Sequence, residues 1–217
     1  MPDRPATPVG PVGGRAKRAT DLALALPLAV ATAPAMAAIA VWVRRDSPGP
    51  ALYRQQRIGY AGRPFTLLKF RTMVVGAEGM GPGLAVRDGD ARITRAGRLL
   101  RRLSLDELPQ LWNVIRGDMS LVGPRPTVAS QVGLYDARQR RRLLARPGLT
   151  GLAQVSGRNA IPWSRRIEID VAYVDAWSPR RDLAILARTA RVVLGRGGTY
   201  AGERGGFDLA RPGTPDD

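Results

Sequence analysis

The chain contains no histidine and no cysteine among its 217 residues. That absence removes the imidazole base, the thiolate nucleophile and the Cys/His zinc site from the available chemistry. It also removes disulfides, which fits a chain facing the cytoplasm. Lysine is scarce, with Lys17 and Lys69 the only two, so the formal net charge of +16 is carried by arginine. Aromatic residues make up 6% of the chain, too few to interleave with the basic residues as a base-stacking surface requires. Covalent or acid–base chemistry therefore falls to carboxylates.

So positive a chain implies an anionic partner: nucleic acid, an acidic membrane surface or phosphorylated substrates. The ends, residues 1–16 and 201–217, are rich in Pro and Gly and are expected to be disordered. From Leu22 to Val43 no residue is charged. Such a run reaches roughly 33 Å as a helix, enough for a hydrocarbon core of about 30 Å. Lys17-Arg18 precede it and Arg44-Arg45 follow it, so both ends favour the cytoplasmic side. Pro27 and Pro34 lie inside it, and Pro34, near the middle, removes a backbone hydrogen bond where it kinks the helix. Two readings stand: a re-entrant segment that dips into one leaflet, or an ordinary kinked span.

The remainder reads as an α/β chain, mostly α. Gln55–Ile58 and Phe65–Met73 around Gly59–Gly62 predict a hairpin, and residues 74–92 a glycine-rich loop. Helices are expected at Thr94–Leu103, from near Ser104 to Ile115, at Thr127–Ala145, at Ile167–Ala176 and at Arg181–Leu194. In the last, Leu183, Leu186, Ala187, Ala190, Val193 and Leu194 share a face, as in a core helix or one lying on an anionic membrane.

The densest signal is Leu103–Pro126, LSLDELPQLWNVIRGDMSLVGPRP. Ser104 and Glu107 fit a capping box ahead of Leu108, Leu111 and Trp112. Asp106 and Glu107 equally fit a site where a helix start attracts phosphate and a carboxylate binds Mg²⁺ or attacks phosphorus. Arg101, Arg102 and Arg125 are near enough in sequence to neutralise phosphate oxygens through their forked guanidinium groups.

Five segments in order resemble the monotopic phosphoglycosyl transferases, the short form of bacterial sugar transferase. They are Lys17-Arg18-x-x-Asp21, Gln56-Arg57-x-Gly59, Lys69–Met73, Leu103–Pro126 and Arg146-Pro147-Gly148-x-Thr150-Gly151-x-x-Gln154-Val155-x-Gly157-Arg158-Asn159. The resemblance implies a re-entrant membrane helix over 17–45, broken at Pro34, and a catalytic domain over 46–200 that faces the cytoplasm from the bacterial inner membrane. It implies a ping-pong reaction in which Asp106 attacks the β-phosphate of a UDP-sugar. The phosphosugar then passes to a polyprenyl phosphate such as undecaprenyl phosphate. By the same resemblance Glu107 assists, Mg²⁺ is held partly by Asp106, and Arg101, Arg125 and Arg158 bind substrate. The family's helix breaks at Ser-Pro; here Ala33 precedes Pro34, with Thr32 one residue earlier as the available hydroxyl. A membrane-tethered nucleic-acid-binding protein is the alternative class. Neither the sugar, the glycan pathway nor the oligomeric state can be read from the residues.

Overall fold

The structure, a computed structural model, describes residues 10–80, 86, 89–157, 161–194 and 209. It begins with a single long helix, α1 (Gly14–Asp46), about 50 Å long at 1.5 Å per residue. Its buried residues, Lys17, Asp21, Ala25 and Ala29 and then Ile39 and Val43, form one stripe. Leu24, Leu26, Leu28, Val30, Val41 and Trp42 remain exposed. The helix is long and apolar enough to cross a membrane. Its assignment continues through Pro27 and Pro34. The Thr32 hydroxyl donates to the carbonyl of Leu28 at 2.7 Å, a back-bond that bends helices, and so does not reach the Val30 carbonyl that Pro34 leaves without its usual donor.

Both halves of α1 are fixed to the domain. At the N-terminal half, Lys17 pairs with buried Asp182 at 2.5 Å. Arg18 donates from both terminal nitrogens to the carbonyls of Val114 and Ile115. Asp21 accepts from the Ser120 hydroxyl at 2.9 Å and the Leu121 amide at 3.0 Å. At the C-terminal end, Asp46 accepts from the Ala96 amide at 2.9 Å, and Arg71 donates to the carbonyls of Ser47, Pro48 and Pro50.

The predicted hairpin forms from β1 (Leu52–Ile58) and β2 (Pro64–Phe70), antiparallel with Leu52 opposite Phe70 and Ile58 opposite Pro64. The free edge of β2 is covered by a side chain: Asn113 accepts from the Leu68 amide and donates to the Thr66 carbonyl. After the loop come α2 (Arg95–Arg102), capped by Thr94, and α3 (Gln110–Arg116). Next are β3 (Ser120–Val122) and α4 (Ala129–Val132). The chain closes with β4 (Gly148–Thr150), α5 (Leu152–Ser156), α6 (Trp163–Asp175) and α7 (Pro179–Leu194). β3 and β4 pair in parallel.

Three expectations are corrected. Thr127–Ala145 is not one helix but α4, an irregular turn and a 3₁₀ segment over Gln139–Leu144. Gly133 ends α4, and the Asp136 carboxylate captures the Gln139 amide, the local competition that keeps such residues out of helices. The capping box is absent: Ser104 is in the left-handed region at φ 56° with no side-chain cap, Leu105–Glu107 is a 3₁₀ turn, and α3 starts only after Pro109. On α7 the packed stripe is Asp182, Ile185, Leu186 and Thr189, while Leu183, Ala187 and Ala190 are exposed. A single stripe cannot serve both sets, and the Asp182 ion pair with Lys17 decides which one turns inward.

The core lies between the N-terminal half of α1, α3, β3, α6 and α7, around Leu111, Val114, Met119, Val122 and Tyr173. A second cluster, Ile39, Val43, Phe70, Ala96 and Leu100, joins the other half of α1 to β2 and α2. Here α2 lies directly on the chain leaving β2: a Cβ on Gly97 would meet the Thr72 carbonyl oxygen at 2.1 Å. Gly97→Ala is therefore expected to force α2 away and destabilise the protein by about 1–3 kcal/mol, read as a fall in Tm.

Candidate active site

The turn carrying Asp106 and Glu107 is held where α2 ends. The left-handed residue Ser104 reverses the chain between them, strain of about 1 kcal/mol of the kind that collects at functional sites. This turn faces inward, so Asp106 is buried, with 8% of its surface exposed. Among the described residues no hydrogen bond reaches its carboxylate. Burial and, second, the neighbouring Glu107 charge raise Asp106 to about 6, against the opposing pull of Lys69, Arg101 and Arg125.

Each of those cations comes from a different segment. Lys69 stands on β2, where burial lowers its ammonium to about 8 while the Asp106 charge supports the protonated form. Arg101 leaves the last turn of α2, with its Nε donating to the Thr72 hydroxyl at 2.8 Å. Arg125 lies in the Gly-Pro-Arg-Pro turn after β3 and pairs with Glu107 at 3.0 Å. That turn is gripped from three sides. The Gly148 amide donates to the Pro124 carbonyl at 2.9 Å and the Ile58 amide to the Thr127 carbonyl at 2.8 Å. Buried Arg142 donates to the Arg125 carbonyl at 2.9 Å, held in turn by Asp170 at 2.5 Å. Glycine is required at 148, because a Cβ would lie 2.1 Å from the Gly123 nitrogen.

A cleft of about 1060 Å³ opens beside this cluster. Arg44, Arg54, Arg57, Lys69, Arg71, Arg101 and Arg125 line it, and it runs from the Asp106 cluster to Ala40 and Arg44 at the end of α1. Burial and the nearby Arg125 lower Arg57 to about 10; it stays charged at neutral pH. Such a cleft concentrates anions, and a di- or polyphosphate suits its guanidinium groups.

The structure thus brings together Asp106, Glu107, Arg101 and Arg125. Arg158 lies outside the described residues. Lys69 and Arg57 were not singled out, although both stand in the matching segments; alternation on a strand places them inward, and only the register shows which face is the cleft. Among the described residues there is no group of three or more carboxylates able to cage a metal. Asp106 is a hard, under-bonded oxygen donor, which fits Mg²⁺ completed by substrate phosphates and waters.

Keeping Asp106 ionised at neutral pH carries a stability cost. Its folded pKa lies above the ordinary 3.8, so the native state binds the proton more tightly and loses stability as pH rises through about 6. Asp106→Asn is expected to raise stability by roughly 1–3 kcal/mol at pH 7.5, seen as a higher Tm. The gain should fade toward pH 4.

Residues 12–196 match the family described as bacterial sugar transferase. The chain is 47% identical over 178 residues to an uncharacterised sugar transferase EpsL of Bacillus subtilis, covering 82% of this chain and 87% of the relative. It is 46% identical over 192 residues to a UDP-glucose:undecaprenyl-phosphate glucose-1-phosphate transferase of Caulobacter vibrioides, 85% of this chain and 72% of the relative. It is 42% identical over 198 residues to an undecaprenyl-phosphate galactose phosphotransferase of Salmonella typhimurium; there it spans 85% of itself but 41% of the relative. The family match spans the segments that build the Asp106 cluster, and the chain belongs to the bacterial sugar transferase family, as a phosphoglycosyl transferase.

Proposed function

We propose that the protein transfers a phosphosugar from a UDP-sugar to a polyprenyl phosphate such as undecaprenyl phosphate, through a phospho-aspartyl intermediate on Asp106. The observation that carries this reading is a buried carboxylate with no hydrogen-bond partner among the described residues, facing Lys69, Arg101 and Arg125 beside a cationic cleft. A carboxylate left unbonded keeps its lone pairs for attack, and its raised pKa makes it the more basic nucleophile.

In the first step an Asp106 oxygen bonds to the β-phosphorus and the bond from that phosphorus to the bridging oxygen breaks. UMP leaves with the electron pair. In the second, an oxygen of the lipid phosphate attacks the same phosphorus and the Asp106 carboxylate departs. Lys69, Arg101 and Arg125 offset the phosphate charge in both steps. Glu107, paired to Arg125, orients that guanidinium or takes the acceptor's proton. Asp106 would hold Mg²⁺, which would supply further neutralisation of phosphate charge.

The fixings of α1 support a re-entrant membrane geometry. Asp46 and Arg71 tie its C-terminal end to the domain that Lys17, Arg18 and Asp21 tie to its N-terminal half. Two ends attached to one domain favour a helix whose apolar middle enters one leaflet around Pro34, with the domain on the cytoplasmic face of the bacterial plasma membrane. Relatives named as exopolysaccharide production proteins support a role for the product in glycan assembly.

Asp106→Ala is expected to abolish UMP release from every UDP-sugar while the protein still sediments with membranes; full activity would overturn the mechanism. In the wild type, kcat/KM should rise with pH through about 6 as Asp106 ionises and fall above about 8 as Lys69 loses its proton, a bell-shaped profile. Because the chain has no cysteine, Arg15→Cys and Arg45→Cys introduce unique labels. Both are expected to react with an impermeant thiol reagent only from the cytoplasmic side; periplasmic labelling of either would establish a true span.

A further inference from the structure

One residue in the cleft has the wrong charge for phosphate. Glu78 is its single acidic lining residue among the described residues, and a carboxylate there repels the anion the arginines attract. It is held in place: the Tyr53 hydroxyl and the Gln55 side-chain amide, at 2.6 Å, both donate to Oε1. The other oxygen, Oε2, has no partner among the described residues and remains an acceptor on the cleft wall. Tyr53 and Gln55 lie on β1, on the same hairpin as Lys69, whose ammonium sits 5.2 Å from the centre of the Tyr53 ring. The order through the site is therefore Asp106, Lys69, Tyr53, Glu78. A group bonded to the phosphate that Lys69 neutralises is next to Tyr53, which in turn bonds Glu78. The nucleoside is separated from that phosphate by a further phosphate and a ribose.

We propose that Glu78, braced by Tyr53 and Gln55, is the subsite that recognises the hydroxyl groups of the donor sugar. Glu78 Oε2 accepts from one or two sugar O–H groups, while the Tyr53 ring, with the Lys69 ammonium over its face, forms the wall between the phosphate and the sugar hydroxyls. Burial and Glu78 both raise the Tyr53 phenol, so it stays a donor at all working pH and keeps Oε1 occupied. This assignment rests on the proposed donor half-reaction, and it makes Glu78 a specificity residue.

The test measures UMP release by the purified full-length protein with UDP-glucose, UDP-galactose and UDP-N-acetylglucosamine, for wild type, Glu78→Gln and Gln55→Ala. A hydrogen bond to a charged group is worth about 1.5–3 kcal/mol, so Glu78→Gln should lower kcat/KM for the best wild-type donor by roughly ten- to a hundredfold. The loss should be several-fold smaller for the poorest donor, compressing the selectivity between sugars. Gln55→Ala, which loosens Glu78 and also releases the Arg57 guanidinium that donates to Gln55 Oε1, should lower kcat/KM for all three sugars and compress the selectivity in the same direction and less. Equal losses for all three sugars would mean that Glu78 merely tethers the loop or contacts the nucleoside, and unchanged kinetics would mean that it contacts nothing; either result overturns the subsite. Failure of the wild type to release UMP from any donor, with turnover of other substrates intact, would refute the donor reading itself.

Discussion

An aspartate held out of water next to a second carboxylate is the constraint on which this structure depends. Left alone, the pair would hold a proton at neutral pH. Lys69, Arg101 and Arg125 oppose that tendency without cancelling it, since Asp106 is raised only to about 6. The balance is chemically useful. A fully salt-bridged aspartate would be a poor nucleophile, its lone pairs already committed; an uncompensated one would be neutral. With three cations nearby and none bonded to it, Asp106 is ionised at physiological pH and still basic.

Holding that balance requires that no cation move. The three come from β2, from the end of α2 and from the turn after β3, and each is braced through backbone contacts. Asn113 closes the open edge of β2 and so sets the register that turns Lys69 inward. Gly97 lets α2 lie on Thr72, the residue that Arg101 grasps. The Arg142–Asp170 pair, buried and only 2% exposed on each side chain, holds the Arg125 turn from behind. Removing one partner of such a pair leaves an uncompensated buried charge, so the polar scaffold behind the site is as sensitive to substitution as the apolar core.

Local periodicity made the hairpin, α2, α6 and α7 legible from the residues, because each has its own turn or cap signal. The motifs in their order point to Asp106, Glu107, Arg101 and Arg125, which the fold gathers into one cluster. Two kinds of feature stayed hidden. Strands β3 and β4 are three residues each; their pairing joins segments almost thirty positions apart, which no local pattern announces. Lys69 and Arg57 gain their place from strand register alone. The failed capping box at Ser104 is instructive in another way: the same four residues satisfy a helix start and a phosphate site. The structure keeps the carboxylates and discards the cap because Ser104 takes a left-handed conformation that swings Asp106 inward.

The motif residues at the start of α1 carry no chemistry of their own. Lys17, Arg18 and Asp21 spend their charges on Asp182, on the open carbonyls of α3 and on β3. An apolar helix exposing Leu24, Leu26, Leu28 and Val30 to its surroundings has no hydrophobic reason to stay on a small domain once lipid is present, since acyl chains would cover that surface equally well. Buried polar pairs give it one, because each partner would be left uncompensated on separation. The attachment at Asp46 does the same at the other end, and it joins the end of the helix directly to the first turn of α2, whose last turn leads into Asp106. Helix and carboxylate are in this way held at a fixed distance. Under the proposed reaction, that spacing lets an acceptor anchored in lipid meet a phosphorylated aspartate without either leaving its phase.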